Sequence, residues 1–147
     1  ANKYLKGAFS FRKSERIHSL KQIDELFGGG KSRALSAFPI RVVYRYVHRL
    51  PTEAPFQVLI SVPKRNLKHA VDRNRVKRQL REAYRLNKHL LFNSKQKHSD
   101  KGMDMAFIWL DSQLYDSDKV HQNVVNLLTR LAEKLWNKKT KTESSKS

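Results

Sequence analysis

The chain has 147 residues, and 31 Lys plus Arg against 13 Asp plus Glu give a formal charge of +18 with a sequence pI of about 10.4. That length suits one domain with one core, and so large an excess of one sign repels itself unless a polyanion such as nucleic acid neutralises it. The absence of cysteine excludes disulfides, thiolate nucleophiles and Cys-based zinc sites, while no apolar run has the length of a membrane span and Ala1–Lys6 carries no hydrophobic signal core, so no membrane partner and a cytoplasmic location are expected.

The first stretch is basic, with Phe9 and Phe11 among Lys3, Lys6, Arg12 and Lys13. Leu20, Ile23, Leu26 and Phe27 then recur at helical spacing. This predicts a helix from Ser19 to Phe27, with Ser19 and Gln22 in a capping-box pattern and Gly28-Gly29-Gly30 as its stop. The glycine run lacks the preceding strand and the Lys-Ser/Thr of a phosphate-binding loop. A short strand is expected near Lys31–Leu35.

Phe38 to Val47 is rich in β-branched and aromatic residues and predicts a strand. Phe38, Ile40, Val42, Tyr44 and Tyr46 share one face; Arg41, Val43, Arg45 and Val47 share the other. The second face is half basic, which suits either a charged ligand or a solvated surface. A turn-rich connection with Pro51 and Pro55 leads to an apolar, central-type strand at Phe56–Val62, ended by Pro63.

Lys64 to Lys88 holds ten basic residues against Asp72 and Glu82. A helix is predicted from about Asp72 to Leu91. Val76, Leu80, Ala83, Tyr84, Leu90 and Leu91 form its apolar sector, and Asn74, Arg78, Arg81, Arg85 and Lys88 lie opposite. One face docks on a core while the other presents a cationic row. Six of the ten charges are Arg, whose planar fork suits phosphate and stacks on bases. A solvated surface does not require that choice, so the row points to RNA or DNA.

Asn93 to Met103 is polar and is expected to be a loop. Asp104 to Leu110 predicts a further strand, and Ser117 to Trp136 a last helix with Val120, Val124, Leu127, Leu128, Leu131 and Leu135 on one side. Trp109 and Trp136 are expected in the core. Residues 1–136 form the expected single domain, and 137–147 a basic, disordered tail. The expected fold is α+β: a two-layer α/β sandwich on a mixed sheet of about four strands, with elements in the order α-β-β-β-α-β-α.

The run Arg65-Asn66-Leu67-Lys68-His69-Ala70-Val71-Asp72-Arg73-Asn74-Arg75-Val76-Lys77-Arg78-Gln79-Leu80-Arg81-Glu82-Ala83-Tyr84-Arg85 closely resembles the signature of the bacterial ribonuclease P protein family. The basic turn, the Ala-Val pair, the Arg-Asn-Arg core, the Lys-Arg pair and the Arg-Glu-Ala-aromatic-Arg ending follow in order without gaps. The resemblance extends from about Phe9 to Trp136.

It implies a non-catalytic protein subunit beside a catalytic RNA that uses Mg²⁺, held mainly through that RNA, to remove the 5′ leader of precursor tRNA. The implied partners are the ribonuclease P RNA and precursor tRNA, with no small-molecule substrate. Contacts to the catalytic RNA are implied for Lys64, Arg65, Lys68, Arg73, Asn74, Arg75, Lys77, Arg78, Arg81 and Arg85. A cleft for the single-stranded leader is implied at Ile23, Phe27, Phe38, Arg41, Ser61 and Lys64; the family often has an aromatic where this chain has Ile23.

Two rival functions fit less of the sequence. A ribosomal or RNA-chaperone protein shares the charge and the fold class but leaves the ordered signature at 65–85 unexplained. A self-sufficient nuclease would need carboxylates, and Asp111, Asp116 and Asp118 cluster. They fall in a Ser/Gln-rich turn before a helix, where capping is the expected role. The six histidines are scattered, and none forms a His-x-x-x-His pair.

Overall fold

The computed structural model describes residues 11–49, 53–94 and 101–144, with side chains up to Leu135 apart from Asn93 and Ser94. Phe9, Pro51 and the middle of the expected 93–103 loop lie outside the described residues.

A 3-10 turn at Lys13–Glu15 precedes helix α1, Leu20–Gly28. The Ser19 hydroxyl accepts from the Gln22 N–H at 3.4 Å, one half of the expected capping box. The other half is absent, because the Gln22 amide reaches across to Gln57 at 2.7 Å. The N–H of Gly29 closes the helix on the Glu25 carbonyl, and a Cβ at Gly29 would lie 2.5 Å from that oxygen. Gly30 follows at φ +75°, the left-handed conformation that glycine adopts without strain.

Strands β1 (Arg33–Ala37), β2 (Ile40–His48), β3 (Phe56–Ser61) and β4 (Lys101–Trp109) form one sheet in the order β1-β2-β4-β3. The β1–β2 and β2–β4 pairs are antiparallel, and β3 lies parallel to β4. Phe38 was expected inside the second strand. It sits in the β1–β2 turn instead, because Pro39 beside it has no N–H to give the ladder. β4 begins at Lys101, earlier than expected: Lys101, Gly102 and Met103 pair with His48, Val47 and Tyr46. Their polar and glycine content reads as loop, whereas the length of β2 extends the pairing.

Helix α2, Ala70–Asn87, starts two residues before the expected Asp72 and stops short of Leu91; a separate short helix α3, His89–Ser94, follows. The last helix, α4, runs Ser117–Ser144, through much of the stretch expected to be disordered. No Gly or Pro interrupts 137–144, and Lys and Glu favour helix.

The main core lies between one sheet face and helices α2 and α4. Val42, Tyr44, Met105, Phe107 and Trp109 meet Val76, Leu80, Tyr84, Val124 and Leu128, all fully or almost fully buried. This is the expected layered α+β arrangement. Helix α1 lies on the other face, where Ile17, Leu26 and Ala106 are buried with Ile23, Val43, Leu59 and Ile108 packed around them. None of the described helices is long and apolar enough to cross a membrane.

Two ion pairs inside the fold tie distant segments. Lys88 Nζ lies 2.6 Å from Glu15 Oε1, with both side chains buried. Arg49 pairs with Asp104 and also donates to Gln57 and to the Pro55 carbonyl, joining β2, β3 and β4.

Candidate nucleic-acid interface

The basic turn after β3 is shaped by backbone bonds. The N–H groups of Asn66 and Leu67 both reach the Pro63 carbonyl, and the Asn66 amide donates to the Trp109 carbonyl at 2.8 Å. Leu67 is buried beneath, which leaves Lys64, Arg65 and Lys68 pointing outward and exposed. Arg73 is half-buried and donates to the carbonyls of Leu67 at 2.9 Å and Lys68 at 2.7 Å. Its guanidinium braces the turn that holds the other cations.

Val76, Leu80, Ala83 and Tyr84 seat α2 on the core. Gln79 adds bonds to the Tyr115 carbonyl and the Ser117 hydroxyl, fixing α2 to the start of α4. This rigid seating leaves Asn74, Arg75, Arg78 and Arg81 exposed and Lys77 half-buried. Among the described residues Arg78 and Arg81 have no carboxylate partner. Arg75 makes one long contact, 3.4 Å, with the Tyr115 carbonyl. Arg85 pairs with Glu82 at 2.5 Å, and that bond lowers the Glu82 pKa and raises that of Arg85. Lys88 leaves the expected row altogether, because the Glu15 pair holds it inside.

The leader-cleft residues fall mainly on the α1 side of the sheet. Arg41, Ile108 and Ser61 form one row across β2, β4 and β3, and Val43, Ala106 and Leu59 form the next. The row beyond holds Arg45, Asp104 and Gln57, and α1 leans on it through Glu25–Arg45, 2.9 Å, and Gln22–Gln57. Leu26 faces down onto the sheet. At 100° per residue, Leu20, Ile23 and Phe27 then lie on the opposite flank of α1, overlooking the Arg41–Ile108–Ser61 row. Leu20 is 77% exposed and Phe27 49%. The result is a groove with an apolar wall, an exposed Arg41 and an exposed Lys64 just past β3.

Phe38 stands apart from this groove. It is 63% exposed in the β1–β2 turn, whose Phe38 carbonyl accepts from Asn123 on α4. Leu20, named in the sequence only for its helical spacing, is 77% exposed and joins the groove wall; the i, i+3, i+7 pattern with Ile23 and Phe27 was its only signal.

The acidic cluster has structural work. Asp116 accepts from the Lys119 N–H at 2.8 Å and caps α4. Asp111 accepts from the Ser112 N–H and the Tyr115 hydroxyl, and the Tyr115 bond holds its pKa below the usual carboxylate value. Asp118 is exposed in the first turn of α4. Among the described residues no group of three or more His, Asp or Glu is placed to hold a metal ion.

Comparisons with known proteins agree on one family. A family model described as Ribonuclease P matches residues 11–132. A ribonuclease P protein component of Porphyromonas gingivalis is 41% identical over 126 residues, covering 84% of this chain and 88% of its own. The structure of the Staphylococcus aureus RNase P protein superposes with a TM-score of 0.61 at 19% identity, covering 81% of this chain and 96% of its own. The RNase P protein from Thermotoga maritima gives 0.60 at 24% identity, with 79% and 96% covered. At those identities the two structures speak to the fold.

Proposed function

The chain belongs to the ribonuclease P protein family, and on that premise we propose that its α2 face holds the catalytic RNA while the groove beside α1 takes the 5′ leader of precursor tRNA. The observation that carries this reading is the exposed row Asn74, Arg78 and Arg81, continued by Lys64, Arg65 and Lys68. It sits on a helix locked to the core, and Arg78 and Arg81 have no carboxylate partners among the described residues. Phosphates supply the missing charge and position the RNA.

In this reading the protein does not cut. The clustered carboxylates nearest to a nuclease set are spent on a helix cap and a turn. Mg²⁺ enters through the RNA, and basic side chains on the turn screen the phosphates that gather around it. The groove suits an unpaired strand, because Phe27 and Leu20 offer apolar surface to bases while Arg41 and Lys64 meet the backbone. On this reading the protein works in the cytoplasm.

The test is reconstitution. Added to a ribonuclease P RNA at low Mg²⁺, the protein should restore cleavage of precursor tRNA, and alone it should cleave nothing. The Arg78→Ala/Arg81→Ala variant should bind the RNA more weakly, with the slope of log K against log salt reduced by roughly 0.9 for each lost phosphate contact. Unchanged affinity and slope would remove α2 as the platform.

A further inference from the structure

A second concavity lies at the outer edge of β3, bordering the open α2 face at Arg81. It is a cavity of about 170 Å³ bordered by Phe11, Arg16, Ile17, His18, Ile60 and Arg81. Drug-sized ligands need about 300–1,000 Å³, so this space suits something the size of one planar ring system.

Its chemistry is specific. Arg16, His18 and Arg81 are exposed at the rim, and among the described residues none has a carboxylate partner. Nearby Glu15 and Glu82 are already held by Lys88 and Arg85. The Arg16 guanidinium carbon lies 4.9 Å from the centroid of the Phe11 ring, and an Arg16 N–H donates to the Phe11 carbonyl. Phe11 is itself set edge-on against the buried Tyr84. The guanidinium is thus an anchored plane at the mouth of a cavity with a largely polar lining.

The edge of β3 adds a hydrogen-bonding pair. The strand ends the sheet, and the outward carbonyl of Val58 accepts from the Ile17 N–H at 3.0 Å. The two-residue period of a strand sends the N–H and C=O of Ile60 to the same side. Among the described residues no loop or terminal backbone group bonds them there. An adjacent donor and acceptor thus point outward from the sheet edge at a residue that lines the cavity, the pairing an unpaired base edge requires.

We infer that this cavity takes one unpaired nucleotide of a bound RNA, with its base stacked by Arg16, its edge read by the Ile60 backbone and its phosphate held by Arg81 and His18. The inference rests on the α2 platform proposed above, because Arg81 belongs to both. A phosphate seated on Arg78 and Arg81 brings the neighbouring nucleotide to the cavity, and only an unstacked base enters. His18 directly precedes the Ser19 cap of α1, so the cavity lies between the two RNA surfaces.

The experiment uses the full chain with two RNA hairpins, one carrying a single bulged adenosine and one fully paired, and AMP as a third ligand. Methyl NMR of Ile17 and Ile60 reports the cavity, and anisotropy gives affinity. The bulged hairpin should shift both methyls and bind about tenfold more tightly, the scale of one stacked base. Arg16→Gln should erase that preference, whereas Arg78→Gln should weaken both hairpins alike. Equal binding of the two hairpins with the Ile60 methyl unmoved overturns the cavity and leaves the platform standing. If Arg78→Gln changes neither affinity, the platform itself fails. If AMP moves the methyls and the bulge brings no gain, the site serves free mononucleotides and the inference is wrong.

Discussion

The Lys88 ammonium lies 2.6 Å from a carboxylate oxygen of Glu15, and both side chains are more than nine-tenths buried. The pair spans 73 positions of sequence and fastens the segment before α1 to the end of α2. It also ends the cationic row at Arg85, one turn earlier than the helical spacing alone indicates.

Breaking that pair from one side leaves a buried charge without a partner. Glu15→Ala should cost about 3–5 kcal/mol of stability, measured by urea unfolding. The double replacement Glu15→Leu/Lys88→Met should recover most of that loss, since apolar replacements of similar size often match a buried ion pair. A double variant as unstable as the single one would show that the pair itself supplies the stability.

Arg73 and Arg78 should separate stability from binding. Arg73 donates to two turn carbonyls, so Arg73→Ala should destabilise the fold by about 1–2 kcal/mol, the scale of such hydrogen bonds at a partly exposed site. Arg78 is exposed and its replacement by Ala should leave the unfolding midpoint nearly unchanged while reducing RNA affinity and the salt slope. The reverse pattern would exchange the two roles.

Phe27 is half exposed on the groove wall. Phe27→Ala should therefore leave stability within about 1 kcal/mol of the parent, well below the cost of a core aromatic. It should weaken leader-bearing precursor tRNA by about 5- to 150-fold, the scale of one stacked base, and leave mature tRNA unaffected. Equal loss for both RNAs would remove Phe27 from leader recognition.

The Tyr115 hydroxyl holds the Asp111 pKa below its ordinary value, and Asp111 in turn raises that of Tyr115. The carboxylate's folded pKa is the lower one, so its contribution is present above the ordinary carboxylate range and is lost as pH falls through the depressed value. The tyrosine's contribution is lost as pH rises through its raised value. Tyr115→Phe should move the Asp111 titration up toward the ordinary range, read by carboxyl-carbon NMR. The stability difference from the parent should vanish in strong acid. An unmoved Asp111 titration would show that the backbone N–H groups alone set it.

Much was legible from local pattern because local physics determines it. The α1 stop at three glycines, the apolar sector of α2, Asp116 as a cap and the buried Trp109 all follow from short-range periodicity, backbone freedom or residue volume. The order of elements, the α+β class and the charge that demands a polyanion were equally within reach, as was the ordered signature at 65–85. What tertiary structure alone decided was the direction in which long cations point. Arg73, Arg85 and Lys88 carry the same formal charge as Arg78, yet they meet turn carbonyls, Glu82 and Glu15 respectively. Two of those three arrangements depend on the path of the backbone in space, which helical spacing does not encode. Packing α1 against the opposite sheet face brought Leu26 and Ile23 into one cluster with Val43, Leu59, Ala106 and Ile108, and the register of β2, β4 and β3 set Arg41, Ile108 and Ser61 in one row.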